Sequence, residues 1–117
     1  MSAANKATLV LLKGNDCPLC TTMQDELKAV QASLGFALYE LNISEHPELQ
    51  EPYRLRIPYL FVEGRPFAKG RLDPAKLKRR LFWNRIGFQK GPLPAPVNTA
   101  LSRAFESFNT EDSTKSD

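Results

Sequence analysis

The chain has 117 residues, 42% of them hydrophobic and 25% charged, which is typical of one globular domain and excludes an intrinsically disordered chain. No apolar run approaches the roughly 20 residues that span a bilayer, and no signal-peptide pattern opens the sequence, so we expect a cytoplasmic protein without a membrane segment. The net charge of +3 is unevenly spread: residues 63–90 hold nine Lys or Arg against two Asp or Glu, which indicates either a solvated helix face or a surface for an anionic partner.

The first part of the chain predicts a strand, a helix and a second strand in succession. Residues 8–12 form an apolar run typical of a buried strand. After it, apolar residues recur at spacings of three and four as far as residue 34, which predicts a helix that stops at Gly35. Residues 36–42 again have the composition of a strand. Because a connection of this length joins parallel strands, we expect these two strands to be parallel.

The next part predicts a short helix, a hairpin and a longer helix. Ser44 or Glu45 opens the short helix, which ends near Tyr53, and we expect His46 to lie on the surface of a loop there. Two strand-like segments then flank a turn that contains glycine. The segments are residues 57–62 and 66–69. Asp73-Pro74 follows, with the pattern of an N-cap and a first helical residue.

The order β-α-β-α-β-β-α predicts an α/β fold with a mixed four-stranded sheet flanked by helices. Beyond it, alternating prolines predict an extended spacer. A short amphipathic helix follows, with Asn98 or Thr99 as its cap, and its apolar stripe either docks on its own domain or binds a partner. The sequence thus divides into a domain at 1–88, a spacer at 89–97, a helix at 98–108 and a disordered tail at 109–117.

The only two cysteines, Cys17 and Cys20, have Cys-x-x-Cys spacing at the point where the predicted strand gives way to the helix. This context is a strong signal for thiol redox chemistry. If Cys17 caps the helix and Pro18 opens it, the N–H groups of the next three residues point toward the Cys17 sulfur. These donors and the helix dipole favour a thiolate. We therefore predict Cys17 as the nucleophile and Cys20, shielded one turn further on, as the resolving thiol.

Three other interpretations compete for the cysteine pair. The two residues can be packed structural cysteines without a redox role. A zinc site needs about four ligands, which one chain with the single histidine His46 does not supply, so we predict no metal. An iron–sulfur cluster shared across a dimer is a further alternative.

Three segments carry a resemblance to a known family: Cys17-Pro18-Leu19-Cys20 after a strand, Ile57-Pro58 at the start of the third strand, and Gly70-Arg71-Leu72-Asp73 before the last helix. They lie within residues 8–85, which resemble the glutaredoxin branch of the thioredoxin superfamily, in particular its short glutaredoxin-like proteins. The resemblance implies a thioredoxin-like fold, a cis peptide bond before Pro58, and a thiol–disulfide oxidoreductase in electron transport and cell redox homeostasis.

The resemblance also implies which residues bind substrate or glutathione: Pro18, Leu19, Ile57, Pro58, Gly70, Arg71 and Asp73. Arg56, Lys69 and Arg71 are available to the carboxylates of glutathione. We expect no tightly bound cofactor, with glutathione as a co-substrate. The expected partners are protein disulfides or glutathione mixed disulfides, and a monomer is favoured.

Two other functions are weighed against this one. A thioredoxin fold can serve as a binding or adaptor module with little redox turnover, in which case the basic region and the C-terminal stripe carry the role. Contact with nucleic acid is disfavoured because the basic helix must also bury Leu77 and Leu81 and lacks an aromatic stacking platform. The residues for such contact are Lys76, Lys78, Arg79 and Arg80.

Overall fold

The computed structural model describes residues 7–85 and 93–104. Their strands are β1 (Thr8–Lys13), β2 (Ala37–Asn42), β3 (Tyr59–Val62) and β4 (Arg65–Lys69). Their helices are α1 (Pro18–Leu34), α2 (Pro47–Tyr53), α3 (Pro74–Arg85) and α4 (95–104), with a short 3₁₀ turn at Ile43–Glu45 before α2. None of the helices described is long and apolar enough to cross a membrane.

The four strands form one mixed sheet in the order β2-β1-β3-β4. β1 is parallel to β2 and antiparallel to β3, which pairs in turn with β4 in an antiparallel hairpin. The predicted α/β fold, with its parallel strands and its hairpin, is therefore confirmed. Lys13 pairs with Asn42, Leu12 with Tyr59, and Tyr59 with Lys69. The ends of β1, β2 and β4 and the start of β3 thus meet at one end of the sheet, here called the Lys13 end.

The central strand β1 is buried on both faces because its side chains alternate between two apolar clusters. Leu9 and Leu11 lie in a cluster with α1 and α3. Val10 and Leu12 lie in a second cluster with α2 and α4. The helical members of the clusters are Met23, Leu27, Leu77 and Leu81 on one face and Leu49, Tyr53, Val97 and Leu101 on the other. Burial of each such side chain stabilises the fold by about 1.5–3 kcal/mol.

Helix α1 ends where the sequence predicts. Gly35 has φ 69°, a left-handed conformation that favours glycine, and its N–H donates to the carbonyl oxygen of Gln31 at 2.9 Å. Two residues then connect α1 to β2.

Helix α4 begins three residues before the predicted start at 98. The N–H of Asn98 donates to the carbonyl oxygen of Pro94 at 2.9 Å, so Asn98 and Thr99 lie inside the helix and not at its cap. Prolines are tolerated in a first helical turn because the N–H groups there have no partner within the helix. The extended spacer is therefore wrong for residues 95–97. Residues 89–92, 105–108 and the predicted tail lie outside the described residues.

The described part of the C-terminal stripe docks on its own domain. Of its residues, Leu101 is 9% exposed and Ala104 packs against the second cluster. Val97 and Ala100 of the same helix are fully buried. Arg103 adds an ion pair, with its Nη2 at 2.9 Å from Oε2 of Glu48 in α2. These contacts leave the same residues unavailable to a partner while α4 stays docked.

Two predictions for the middle of the chain differ from the structure. His46 is 8% exposed and does not lie on the surface, since the buried residues Ile43 and Leu49 on either side draw this segment onto the sheet. β3 begins at Tyr59 and not at Ile57, because Pro58 has no N–H to donate to the sheet ladder.

Candidate active site

The cysteine pair lies at the start of α1, at the Lys13 end of the sheet. Cys17 is the N-cap of α1 and has extended backbone, and Pro18 is the first helical residue. The two cysteines form a disulfide bond, and their Cα atoms are 5.2 Å apart. Cys17 is half-buried, whereas Cys20 is 3% exposed. Cys17 is thus the more accessible residue of the pair.

One N–H group of the first turn reaches the Cys17 sulfur. The N–H of Cys20 donates to Sγ of Cys17 at 3.1 Å. The N–H of Thr21 donates instead to the carbonyl oxygen of Cys17 at 3.2 Å, as the first hydrogen bond of the helix, so the expected convergence of three donors is wrong for Thr21. The first turn of α1 holds no acidic side chain that would offset the positive end of the helix dipole. In the reduced pair, these features favour a thiolate at Cys17.

The start of β3 packs against the loop that carries Cys17. The peptide bond between Ile57 and Pro58 is cis, as the resemblance implies. A Cβ on Gly14 would lie 2.6 Å from Cδ1 of Ile57, so the two residues are in close contact. The carbonyl oxygen of Pro58 accepts the N–H of Gly70 at 2.8 Å. These contacts connect the cysteine loop, the start of β3 and the end of β4.

The remaining residues of the predicted site have different surroundings. Leu19, between the two cysteines, is 45% exposed, and Arg71 is exposed. Asp73 is engaged at the start of α3, where its Oδ1 accepts the N–H groups of Ala75 at 3.1 Å and Lys76 at 3.3 Å. Asp73 therefore has a capping role, and its part in binding substrate stays a prediction.

An open cleft of about 630 Å³ lies beside the cysteine pair on the side of β2. Of the residues predicted to bind substrate, only Pro18 lines it, together with both cysteines. The other lining side chains are mostly polar and include Lys13, Asn15, Asp16, Gln24 and Asn42. Lys13 and Asp16 lie close to Cys17 in the sequence, where their opposite charges are expected to act on the thiolate in opposite directions. Sequence reasoning missed Gln24 and Asn42, because they reach the cleft only through α1 and the register of β1 with β2.

Hydrogen bonds hold the wall of this cleft in place. Nζ of Lys13 lies 2.8 Å from Oε1 of Glu40, and the same oxygen accepts a hydrogen bond from Nε2 of Gln24 at 2.9 Å. Nδ2 of Asn42 donates to Oδ1 of Asn15 at 3.0 Å. Because Lys13 and Asp16 share the cleft with both cysteines, the Lys13–Glu40 pair and the Asp16 carboxylate together contribute the charge beside the thiols.

Known proteins resemble the chain over this same region. The sequence model of the family described as "Glutaredoxin-like domain (DUF836)" matches residues 8–82. Among solved structures, the chain is similar to protein Ne2328 from Nitrosomonas europaea, with 27% identity and a TM-score of 0.56 over 64% of this chain and 91% of that one. No curated protein matches it.

A second similar structure is an uncharacterised thioredoxin-like protein from Clostridium perfringens, with 22% identity and a TM-score of 0.54 over 71% of this chain and 74% of that one. This likeness bears on the fold alone. The family match covers the sheet, α1, α2, most of α3 and the Cys-x-x-Cys pair. The chain therefore belongs to the glutaredoxin-like domain family, and its fold is thioredoxin-like.

Proposed function

We propose that the protein is a thiol–disulfide oxidoreductase in which Cys17 is the nucleophile and Cys20 the resolving thiol. One observation carries the proposal: the disulfide joins the accessible N-cap of α1 to a buried residue one turn further on. A thiolate at a helix start attacks disulfides readily, and a second thiol held beside it can complete the exchange.

The reaction proceeds in two exchanges from the reduced pair. The Cys17 thiolate attacks one sulfur of the substrate disulfide, a mixed disulfide forms, and the first substrate thiolate leaves. Cys20 loses its proton and attacks Sγ of Cys17, the second substrate thiolate leaves, and the Cys17–Cys20 disulfide forms. Two electrons pass to the substrate, whose two thiolates take up protons from water. The cleft beside Cys20 gives water a route to that thiol.

The start of β3 is suited to hold an extended substrate. Within the described residues, neither the N–H nor the carbonyl of Ile57 takes part in a backbone hydrogen bond. A substrate strand can therefore pair with this backbone in β-fashion, beside the exposed Leu19. We propose protein disulfides and glutathione mixed disulfides as substrates, and glutathione in the cytoplasm as the co-substrate that returns the pair to the dithiol.

Serine substitutions test the assignment of the two thiols. Cys17→Ser should abolish reduction of a small disulfide, because no thiolate remains at the accessible position. Cys20→Ser should still attack the substrate disulfide through Cys17 and should accumulate a mixed disulfide, which mass spectrometry of the intact protein detects. Thr22→Ser, on an exposed position of the same helix, is the control and should behave as the unmodified protein.

Full activity in Cys17→Ser would contradict the proposal. The adaptor function makes the opposite prediction, namely that capture of a partner survives the loss of both cysteines. Contact with nucleic acid has less support than the sequence alone suggests, since Arg80 is half-buried and its Nη2 donates to the carbonyl oxygen of Val62 at 3.4 Å.

A further inference from the structure

Three exposed cations, Arg56, Lys69 and Arg71, surround the start of β3 and are called here the cationic rim. Arg56 lies two residues before Pro58. Lys69 and Arg71 flank Gly70, whose N–H is bonded to the Pro58 carbonyl oxygen at 2.8 Å. Since Ile57 packs against the cysteine loop, the rim lies on the side of the disulfide where we expect a substrate strand to pair.

No carboxylate within residues 7–85 and 93–104 forms an ion pair with the cationic rim. Two cations elsewhere in the fold are paired: Lys13 and Arg103 have carboxylate oxygens at 2.8 and 2.9 Å. Asp73 follows Arg71 closely in the sequence, but its Oδ1 is engaged by N–H groups of α3. The rim therefore presents positive charge that the described fold itself does not use.

The same end of the molecule exposes two leucines. Leu55, adjacent to Arg56 in the loop before β3, is 88% exposed, and Leu19 is 45% exposed. Single exposed leucines are common on protein surfaces. Here they accompany cations that form no ion pair within the described residues, at the end of the sheet where the disulfide lies, so the surface offers apolar and cationic contacts together.

We propose that the cationic rim and Leu55 bind an extended segment of a protein substrate in which acidic residues flank the cysteine to be reduced. This inference rests on the proposed function and names the substrate class of the same site. The segment's carboxylates lie against the rim, and an apolar side chain covers Leu55. Glutathione also has carboxylates, but it has no apolar side chain to cover Leu55, so a protein segment matches more of this surface.

Charge at the rim acts mainly on the rate of encounter, because attraction between opposite charges steers a flexible segment toward the disulfide. The other side of the pair differs, since Asp16 lines the cleft there. An acidic segment is thus drawn to the β3 side and away from the cleft. The preference should weaken as salt screens the exposed charges.

The test uses the full chain, reduced beforehand, and three peptides that share a central cysteine and a neighbouring leucine. The cysteine is flanked by glutamates, glutamines or lysines, and each peptide is a mixed disulfide with uncharged 2-mercaptoethanol. The measured quantity is the single-turnover rate constant for oxidation of the protein. We expect the acidic peptide to react about three- to tenfold faster than the basic one at low salt, and the ratio to fall as salt rises.

Charge reversal locates the effect. Arg56→Glu combined with Lys69→Glu should invert the preference for the acidic peptide. Lys78→Glu combined with Arg79→Glu makes the same change in net charge on exposed positions of α3 and should keep the original preference. If both double variants changed the ratio alike, the effect would come from net charge and the assignment to the rim would be wrong.

The outcomes separate this inference from the proposed function. Reaction with none of the peptides would contradict the oxidoreductase itself. Equal rates with all three would leave the oxidoreductase standing and reject the cationic rim as its docking surface. Oxidised glutathione reacting faster than the acidic peptide, with that advantage lost in the rim variant, would assign the rim to glutathione and overturn the inference.

Discussion

A methyl group added at Gly14 would displace a side chain at the start of β3. The absent Cβ of Gly14 leaves the space that Cδ1 of Ile57 occupies, 2.6 Å from where a Cβ would be. Because Cδ1 is the end of a flexible side chain, the Ile57 side chain can move when that space is filled. The backbone of Pro58 follows directly, so a displacement here reaches the surface proposed to hold the substrate.

We predict that Gly14→Ala lowers the free energy of unfolding by about 1 kcal/mol, from crowding against Ile57. Ile57→Val removes only Cδ1 and should cost about 0.5–1.5 kcal/mol alone. In the double variant the added and removed methyl groups compensate. A double-mutant cycle, measured by urea unfolding, should therefore give a combined cost smaller than the sum. Additive costs would show that the contact with Ile57 is not the reason why Gly14→Ala destabilises the fold.

Lys13 and Glu40 make up the charge pair beside the thiols. We predict that Lys13→Met disfavours the Cys17 thiolate, because it leaves the Glu40 carboxylate without its cation, 2.9 Å from Nε2 of Gln24 at the cleft wall. Glu40→Gln should favour the thiolate, because it leaves the cation of Lys13 unbalanced. The measurement is the pH at which ultraviolet absorbance of the thiolate appears in the reduced protein. Shifts of the same sign in both variants would contradict an electrostatic role for the pair.

At the scale of elements, α4 is attached to α2 by one ion pair in addition to its apolar contacts. The N–H at the start of α2 lowers the pKa of Glu48, and Arg103 lowers it further. A carboxyl whose pKa is lowered in the folded state stabilises the fold at pH values above its ordinary pKa of 4.5. That contribution is lost as the pH falls through the lowered pKa of the folded state.

We predict that Arg103→Met lowers the urea midpoint at neutral pH and that the difference from the unmodified protein shrinks in acid, where Glu48 is protonated in both. The effect should be small, since Arg103 is half exposed and exposed ion pairs contribute little. Ser102→Ala, at the adjacent exposed position, is the matched control. A difference that persists unchanged into acid would mean that Arg103 acts through packing and not through Glu48.

At the scale of the whole molecule, much of the fold can be predicted from local patterns. The apolar run before Cys17 predicts a strand, the helical spacing after it predicts a helix, and Gly35 predicts where that helix ends. The hairpin follows from Gly64 between two strand-like segments. In the structure its turn residues, Glu63 and Gly64, both have positive φ, as in the tight turns that suit right-twisted strands.

What the sequence could not predict depends on contacts between elements. The polar cleft exists because Lys13 and Asn42 are paired across β1 and β2, and no local pattern reports a register. His46 is polar and precedes a proline, so its composition favours a loop surface, yet its apolar neighbours bury it. The cis bond before Pro58 came from family resemblance, because proline alone permits both isomers.

The cap of α1 has a consequence for turnover. The sulfur of Cys17 accepts the N–H of Cys20 in the disulfide, and a thiolate at the same position can accept that N–H as well. The helix start therefore needs no new donor or acceptor when the pair gains or loses electrons, and we expect the surrounding surface to keep one shape in both states. A partner would then bind the oxidised protein about as well as the reduced one. The oxidised protein would therefore compete with the reduced protein for the same substrate and inhibit its own reaction cycle.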